Sequence, residues 1–256
     1  LRPANKPIGS YLFVGPTGVG KTEVCRQLAD NLSIKLLKYD MSEYQERHSV
    51  SKLIGAPPGY VGYAEGSIGS GQLINDVEDN PNCVLLLDEV EKSAPEVLQV
   101  LLQVMDDGKL TSSTGKTVMF NKVILCLTSN LGAQASDKPP MGIGVPDSIN
   151  KTDDYVKDFF APEFRNRLDA TIQFNKLSKE NILKIVHKVK DETNEMLKDK
   201  KVIVVLDDTA AQWVADKGFD PAMGARPMQR IFDQSVKRPL SKEILFGKLI
   251  NGCLLY

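Results

Sequence analysis

The segment Gly15-Pro16-Thr17-Gly18-Val19-Gly20-Lys21-Thr22 fits the pattern G-x-x-x-x-G-K-[ST]. Glycines let such a loop curl until its N–H groups converge on one point. That point lies beside a helix N-terminus, where aligned peptide dipoles favour an anion. In this arrangement Lys21 reaches the β- and γ-phosphates of a nucleoside triphosphate and the Thr22 hydroxyl ligates Mg²⁺. The plain alternative is a glycine turn with an unrelated lysine. Position decides against it, because the loop follows an apolar run, Tyr11–Val14, and opens an amphipathic segment.

A second constellation complements the first. Val84-Leu85-Leu86-Leu87 ends in Asp88-Glu89, and an apolar strand ending in two acids delivers carboxylates to the sheet edge where ligands bind. Asp88 then holds Mg²⁺ through its water shell, and Glu89 polarises an attacking water as general base. A strand with a solvated acidic end is the bland reading. The pair gains its meaning from the phosphate loop.

The elements that must position these groups are legible in outline. An amphipathic helix is predicted from about Lys21 to Leu32, and strands at Tyr11–Val14, Lys35–Tyr39, Val84–Leu87 and Val123–Leu127. Behind Pro95, residues Val97, Leu98, Leu101, Leu102 and Met105 recur at helical spacing. This alternation predicts an α/β unit, a mainly parallel sheet with helices on both faces. From Leu131 to Asp154 the chain turns to Gly, Pro, Ser and Asp without periodicity, which predicts a long loop. After Lys176 the character changes. Ser178 can cap a helix whose apolar face is Ile182, Ile185, Val186 and Val189, and a β-rich run, Val202–Leu206, follows. Helices are predicted over about Asp208–Lys217, ended by Gly218, and about Pro227–Leu240. The C-terminal part reads as a small, mostly α-helical unit.

Composition bounds the functions. Of 256 residues, 42% are hydrophobic and 25% charged, an ordinary globular mix. Lys plus Arg number 32 against 33 for Asp plus Glu, a formal charge of −1. No long-range pull toward nucleic acid or an anionic membrane is built in, and neither is expected as a partner. No apolar run approaches the ~20 residues that a bilayer span needs, and the N-terminus lacks a signal-peptide pattern. The four cysteines (Cys25, Cys83, Cys126, Cys253) show no Cys-x-x-Cys spacing, and the two histidines no metal-ligand spacing. Free buried thiols in a reducing, cytoplasmic setting are expected, without zinc. The chain starts at Leu1 without an initiator Met, which reads as a piece of a longer polypeptide.

Taken together, the sequence resembles the AAA+ ATPases, and within them the second, C-terminal ATPase module of ClpA-type protein unfoldases. The resemblance covers essentially the whole chain. It rests on Gly15–Thr22, Asp40-Met-Ser-Glu43, Gly55-Ala-Pro-Pro-Gly-Tyr-Val-Gly62, Leu85–Lys92, Phe164-Arg-Asn-Arg-Leu-Asp169 and Gly224-Ala-Arg-Pro-Met228. It implies a P-loop NTPase fold, with a large α/β ATP-binding subdomain over 1–175 and a small helical one over 176–256. Its cofactors would be ATP and Mg²⁺. Its working form would be a homo-hexameric ring acting on unfolded protein substrates.

The resemblance also assigns roles. Asn130 stands in the place of the family's first sensor and would orient the lytic water; a turn-forming Asn is the alternative. Arg167 matches the arginine finger, which a neighbouring subunit receives in trans, while the nearby Arg165 reads as a surface residue. Arg226 looks like the second sensor, touching the γ-phosphate from the small subdomain. Tyr60 and Val61, flanked by Gly59 and Gly62, match a pore loop that drags polypeptide through the ring; otherwise they form a tight turn. Asp106–Lys116 falls where a second pore loop lies, or is simply a solvated hairpin. Relatives that dock on the ClpP peptidase carry Ile-Gly-Leu or Ile-Gly-Phe in the long loop. Here Met141-Gly142-Ile143 stands instead, or, shifted, Ile143-Gly144-Val145. Docking on ClpP and ClpB-type disaggregation without a peptidase both stay open. A nucleic-acid-handling ATPase would want Lys and Arg in the central loop, where this chain has Gly-Tyr-Val-Gly.

Overall fold

A strand covered on both faces must be apolar almost throughout. Two segments meet that condition, Cys83–Asp88 and Val123–Ser129, and every residue of both is buried except the terminal Asp88. The computed structural model describes residues 5–55, 71–112, 114–131, 148–220, 223–247 and 254–255. It divides into two units, Leu1–Gly15 with Gly20–Phe174, and Pro16–Val19 with Asn175–Tyr256.

In chain order the first unit contains β1 (Gly9–Val14), α1 (Lys21–Leu32), β2 (Lys35–Asp40), α2 (Arg47–Ile54), α3 (Gln72–Asp79) and β3 (Cys83–Asp88). These are followed by α4 (Pro95–Asp107), β4 (Lys109–Thr111), β5 (Thr117–Met119), β6 (Val123–Ser129), α5 (Ser148–Phe159), α6 (Pro162–Arg165) and β7 (Ala170–Gln173). Five strands form one sheet in the order β2-β3-β6-β1-β7, every ladder parallel. Strand periodicity sorts the side chains onto two faces. Leu12, Val14, Leu85, Leu87, Leu125 and Leu127 enter one core with Val97 and Leu101 of α4. Phe13, Val84, Leu86, Ile124 and Cys126 enter the other, against Cys25 and Ala29 of α1. The sheet is therefore parallel with helices on both faces, as the alternating pattern predicts.

Differences from the sequence reading have local causes. The predicted loop from Leu131 to Asp154 gives way to α5 at Ser148; the side chains of Val156 and, just past its end, Phe160 are buried in the larger core and anchor a largely polar helix. Residues 132–147, with Met141, Gly142, Ile143, Gly144 and Val145, lie outside the described residues, as do Tyr60 and Val61. Asp106–Lys116 covers the end of α4 and one arm of an antiparallel hairpin, β4 with β5. Cys25, Cys83 and Cys126 are buried free thiols, and Cys253 is outside the described residues.

The second unit holds α7 (Lys179–Met196), β8 (Ile203–Val204), α8 (Asp208–Gly218), α9 (Met228–Phe232), α10 (Arg238–Phe246) and β9 (Leu254–Leu255). Ser178 caps α7, its hydroxyl accepting the Asn181 N–H at 3.2 Å, and Asp207 caps α8 through the Ala210 N–H. Ile182, Val186 and Val189 meet Ala211, Val214, Met228 and Phe232 in its core. The predicted helix over Pro227–Leu240 is interrupted by a π turn, Asp233–Lys237, and then runs on to Phe246. Among the described residues no helix is long and apolar enough to cross a membrane.

Candidate functional site

Register brings the candidate groups to one sheet edge. Val14 pairs with Ser129, Leu87 with Leu127 and Asp40 with Asp88. Gly15, Asp88-Glu89 and Asn130 therefore leave the C-terminal ends of three adjacent strands, where α/β sheets bind ligands. β6, which carries Asn130, lies between β1 and β3.

The loop needs its glycines for two distinct reasons. A Cβ on Gly15 would stand 2.3 Å from the carbonyl oxygen of Phe174, whose own N–H is bonded to Val14. Gly20 caps α1 at φ 103°, a left-handed conformation that disfavours side chains. As a glycine it also offers no capping oxygen to the first turn of α1, whose N–H groups keep their capacity for an anion.

Lys21 is buried, 7% exposed. Its ammonium donates to the Gly15 carbonyl at 2.7 Å and to Asn130 Oδ1 at 2.8 Å. Burial lowers its pKa to about 8, a depression that the charges of Glu91, Asp88 and Glu89 only partly offset. Asn130 donates through Nδ2 to Glu89 Oε1 at 3.1 Å, and its backbone N–H donates to Glu91 Oε1 at 3.1 Å. Lys21, Asn130 and Glu89 thus form one continuous chain of hydrogen bonds.

Asp88 is held from three sides. Thr22 Oγ1 lies 3.3 and 3.2 Å from its two oxygens, Lys38 Nζ lies 2.8 Å from Oδ2, and Thr128 donates to Oδ1 at 2.5 Å. Burial alone would raise this carboxyl. The bonds from Lys38 and Thr128, with the Lys38 charge and Thr22, bring it below its ordinary value, so it stays ionised. Glu89 also pairs with Lys92.

The structure thus gathers Lys21, Thr22, Asp88, Glu89 and Asn130. It places Arg167 elsewhere in the first unit. There its Nε donates to both oxygens of Asp106, at 2.9 and 2.8 Å, and its Nη1 to the Glu163 carbonyl. Arg165 bonds the Phe160 carbonyl. Arg226 is exposed in the turn before α9. Pro16, Thr17, Gly18 and Val19 belong by contact to the second unit. Sequence reasoning did not single out Thr128, Lys38 or Glu91. The signal for Thr128 was a hydroxyl directly after the apolar run Val123–Leu127, which must find a partner once buried.

Residues 6–171 match the family described as AAA domain (Cdc48 subfamily). The chain belongs to that family and is an ATPase that binds nucleotide. Residues 177–255 match the C-terminal, D2-small domain of ClpB protein. A ClpA homolog protein of Fuscovulum blasticum is 51% identical over 255 residues, covering 100% of this chain and 32% of the relative. The chaperone protein ClpB of Enterococcus faecalis is 44% identical over 256 residues, covering 98% and 29%. The ATP-dependent Clp protease ATP-binding subunit ClpE of Lactococcus lactis is 46% identical over 241 residues, covering 93% and 32%. The chain is thus a C-terminal ATPase module of the Clp kind, and it spans about a third of the length of these curated relatives.

Proposed function

We propose that this module hydrolyses Mg·ATP to drive the unfolding and threading of protein substrates by a homo-hexameric ring in the cytoplasm. The observation that carries the reading is the bonded chain Lys21–Asn130–Glu89 beside an ionised Asp88. Lys21 exchanges the Gly15 carbonyl for the β- and γ-phosphate oxygens. Asn130 holds Glu89 and orients the water. Glu89 takes the proton as water oxygen attacks the γ-phosphorus and the bond to the β,γ-bridging oxygen breaks.

The oxygen donors suit Mg²⁺, since a hydroxyl and an ionised carboxylate converge within 3.3 Å. Thr22 and Asp88 would hold the ion, which when bound neutralises charge on the phosphate oxygens. Arg167 acts in trans, exchanging Asp106 for a neighbouring subunit's nucleotide, and Arg226 reads the γ-phosphate from the small subdomain. Tyr60 and Val61 grip the substrate.

Relatives described as a protease's ATP-binding subunit and as a chaperone support two destinations for that substrate. Delivery to the ClpP peptidase through Met141-Gly142-Ile143 is the first, and ClpB-type disaggregation is the second. Pull-down of ClpP by the assembled protein, with and without residues 139–146, separates them. For the site itself, Glu89→Gln should keep ATP binding and abolish turnover. Hydrolysis at the parental rate by that variant refutes the assignment of the base.

A further inference from the structure

Glu89 is one of three described non-glycine residues with positive φ, at φ 58° and ψ 50°. A glutamate gains nothing intrinsic from this left-handed conformation, so its surroundings must impose it. It falls where β3 ends and the chain bends into the short turn Val90–Lys92. The backbone N–H of Glu89 has left the sheet ladder there, since the β3–β6 pairing stops at Leu87 with Leu127. A hydroxyl meets it. Thr128 Oγ1 accepts the Glu89 N–H at 3.0 Å while donating its own proton to Asp88 Oδ1 at 2.5 Å.

Thr128 is fully buried at the end of β6, and the neighbours of this strand hold it between β1 and β3. One oxygen thus ties the residue that would hold the metal to the backbone of the residue that would take the proton. Asp88 Oδ2 is bound from the other side by Lys38. Both anchors of the hydroxyl are therefore fixed, and Glu89 has its backbone pinned by Thr128 and its carboxylate by Asn130. Valine would fill the same volume and supply neither bond.

We propose that Thr128 is a positioning residue for ATP hydrolysis: its hydroxyl locks Glu89 in the left-handed conformation that aims the carboxylate at the attacking water. The inference rests on the reading of Glu89 as the base, and the test separates the two. Thr128→Val should lower kcat about 10- to 100-fold at saturating Mg²⁺, as misplacing a reacting group by up to about 1 Å does. KM for Mg·ATP should move by less than about threefold, because saturating Mg²⁺ offsets the bond lost at Asp88 and leaves the chemical step as what changes. Thr128→Ser, which restores both bonds, should return kcat to within about threefold of the parent. Thr128→Ala gives a second hydroxyl-free variant, with melting curves to show that each is folded.

In the unaltered protein the Glu89 amide should exchange slowly with solvent even without nucleotide, and faster in Thr128→Val. Parental kcat in folded Thr128→Val beside an inactive Glu89→Gln overturns the positioning role and leaves the base standing. A fast-exchanging Glu89 amide in the unaltered protein also overturns it. Parental hydrolysis by Glu89→Gln overturns the underlying site instead.

Discussion

The ammonium of Lys21 gives the site a pH dependence that can be calculated. Its pKa lies near 8, against 10.5 for an unburied lysine. Burial is the main cause, and the nearby carboxylates Glu91, Asp88 and Glu89 limit the fall. Phosphate oxygens would favour the charged form, so a bound nucleotide should raise the pKa again. Without ligand, about three-quarters of Lys21 is charged at pH 7.5 and about one-eleventh at pH 9. Affinity for ATP should therefore fall about eightfold across that interval, about 1.3 kcal/mol.

Binding at pH 9 should also take up about 0.9 proton. Isothermal titration in two buffers of different ionisation enthalpy reads both quantities. Lys21→Arg, which cannot lose its charge, should show neither the uptake nor the slope. The same depression acts on stability in the opposite sense. The unfolded chain binds the extra proton between about pH 8 and 10.5, so the cost of burying this group shrinks, and stability rises, as pH climbs through that window. A flat affinity from pH 7.5 to 9 without proton uptake would refute the assignment of Lys21 to the phosphates.

Two further outcomes follow from the geometry. Glu89→Gly should be more stable than Glu89→Ala by about 1 kcal/mol, because glycine adopts φ 58° without strain, while both lose hydrolysis; equal denaturant midpoints would remove the strain argument. Phe232, fully buried in the core of the second unit, should cost that unit about 3–5 kcal/mol when replaced by alanine. Urea unfolding followed through Trp213, which lies on α8 in the same unit, checks it.

The phosphate loop and α1 were legible because their signals are local: spacing, a glycine cap and helical periodicity over Lys21–Leu32. The inner strands were legible because burial on both faces writes itself as unbroken apolar runs. β7 escaped notice since Ala170–Gln173 is a short edge strand with no fully buried residue. α5 escaped because Ser, Asn, Thr and Asp outnumber its anchors, and tertiary burial of Val156 and Phe160 outweighs local propensity. At the site, Lys21, Asp88 and Glu89 carry chemistry that residue type alone suggests. Lys38, Glu91 and Thr128 do not, because their importance arises only when strand register sets them against Asp88 and Asn130.

Cys25, one turn beyond Lys21, has its Sγ 3.6 Å from the Lys21 carbonyl oxygen and is completely buried. Its hydrogen bond with Cys126, and then burial, push the thiol far above the range where thiolate forms. Alkylating reagents can reach it only when α1 lifts from the sheet. Its modification rate therefore clocks the opening of the helix that carries Lys21, and a nucleotide clamped across that helix should slow the clock.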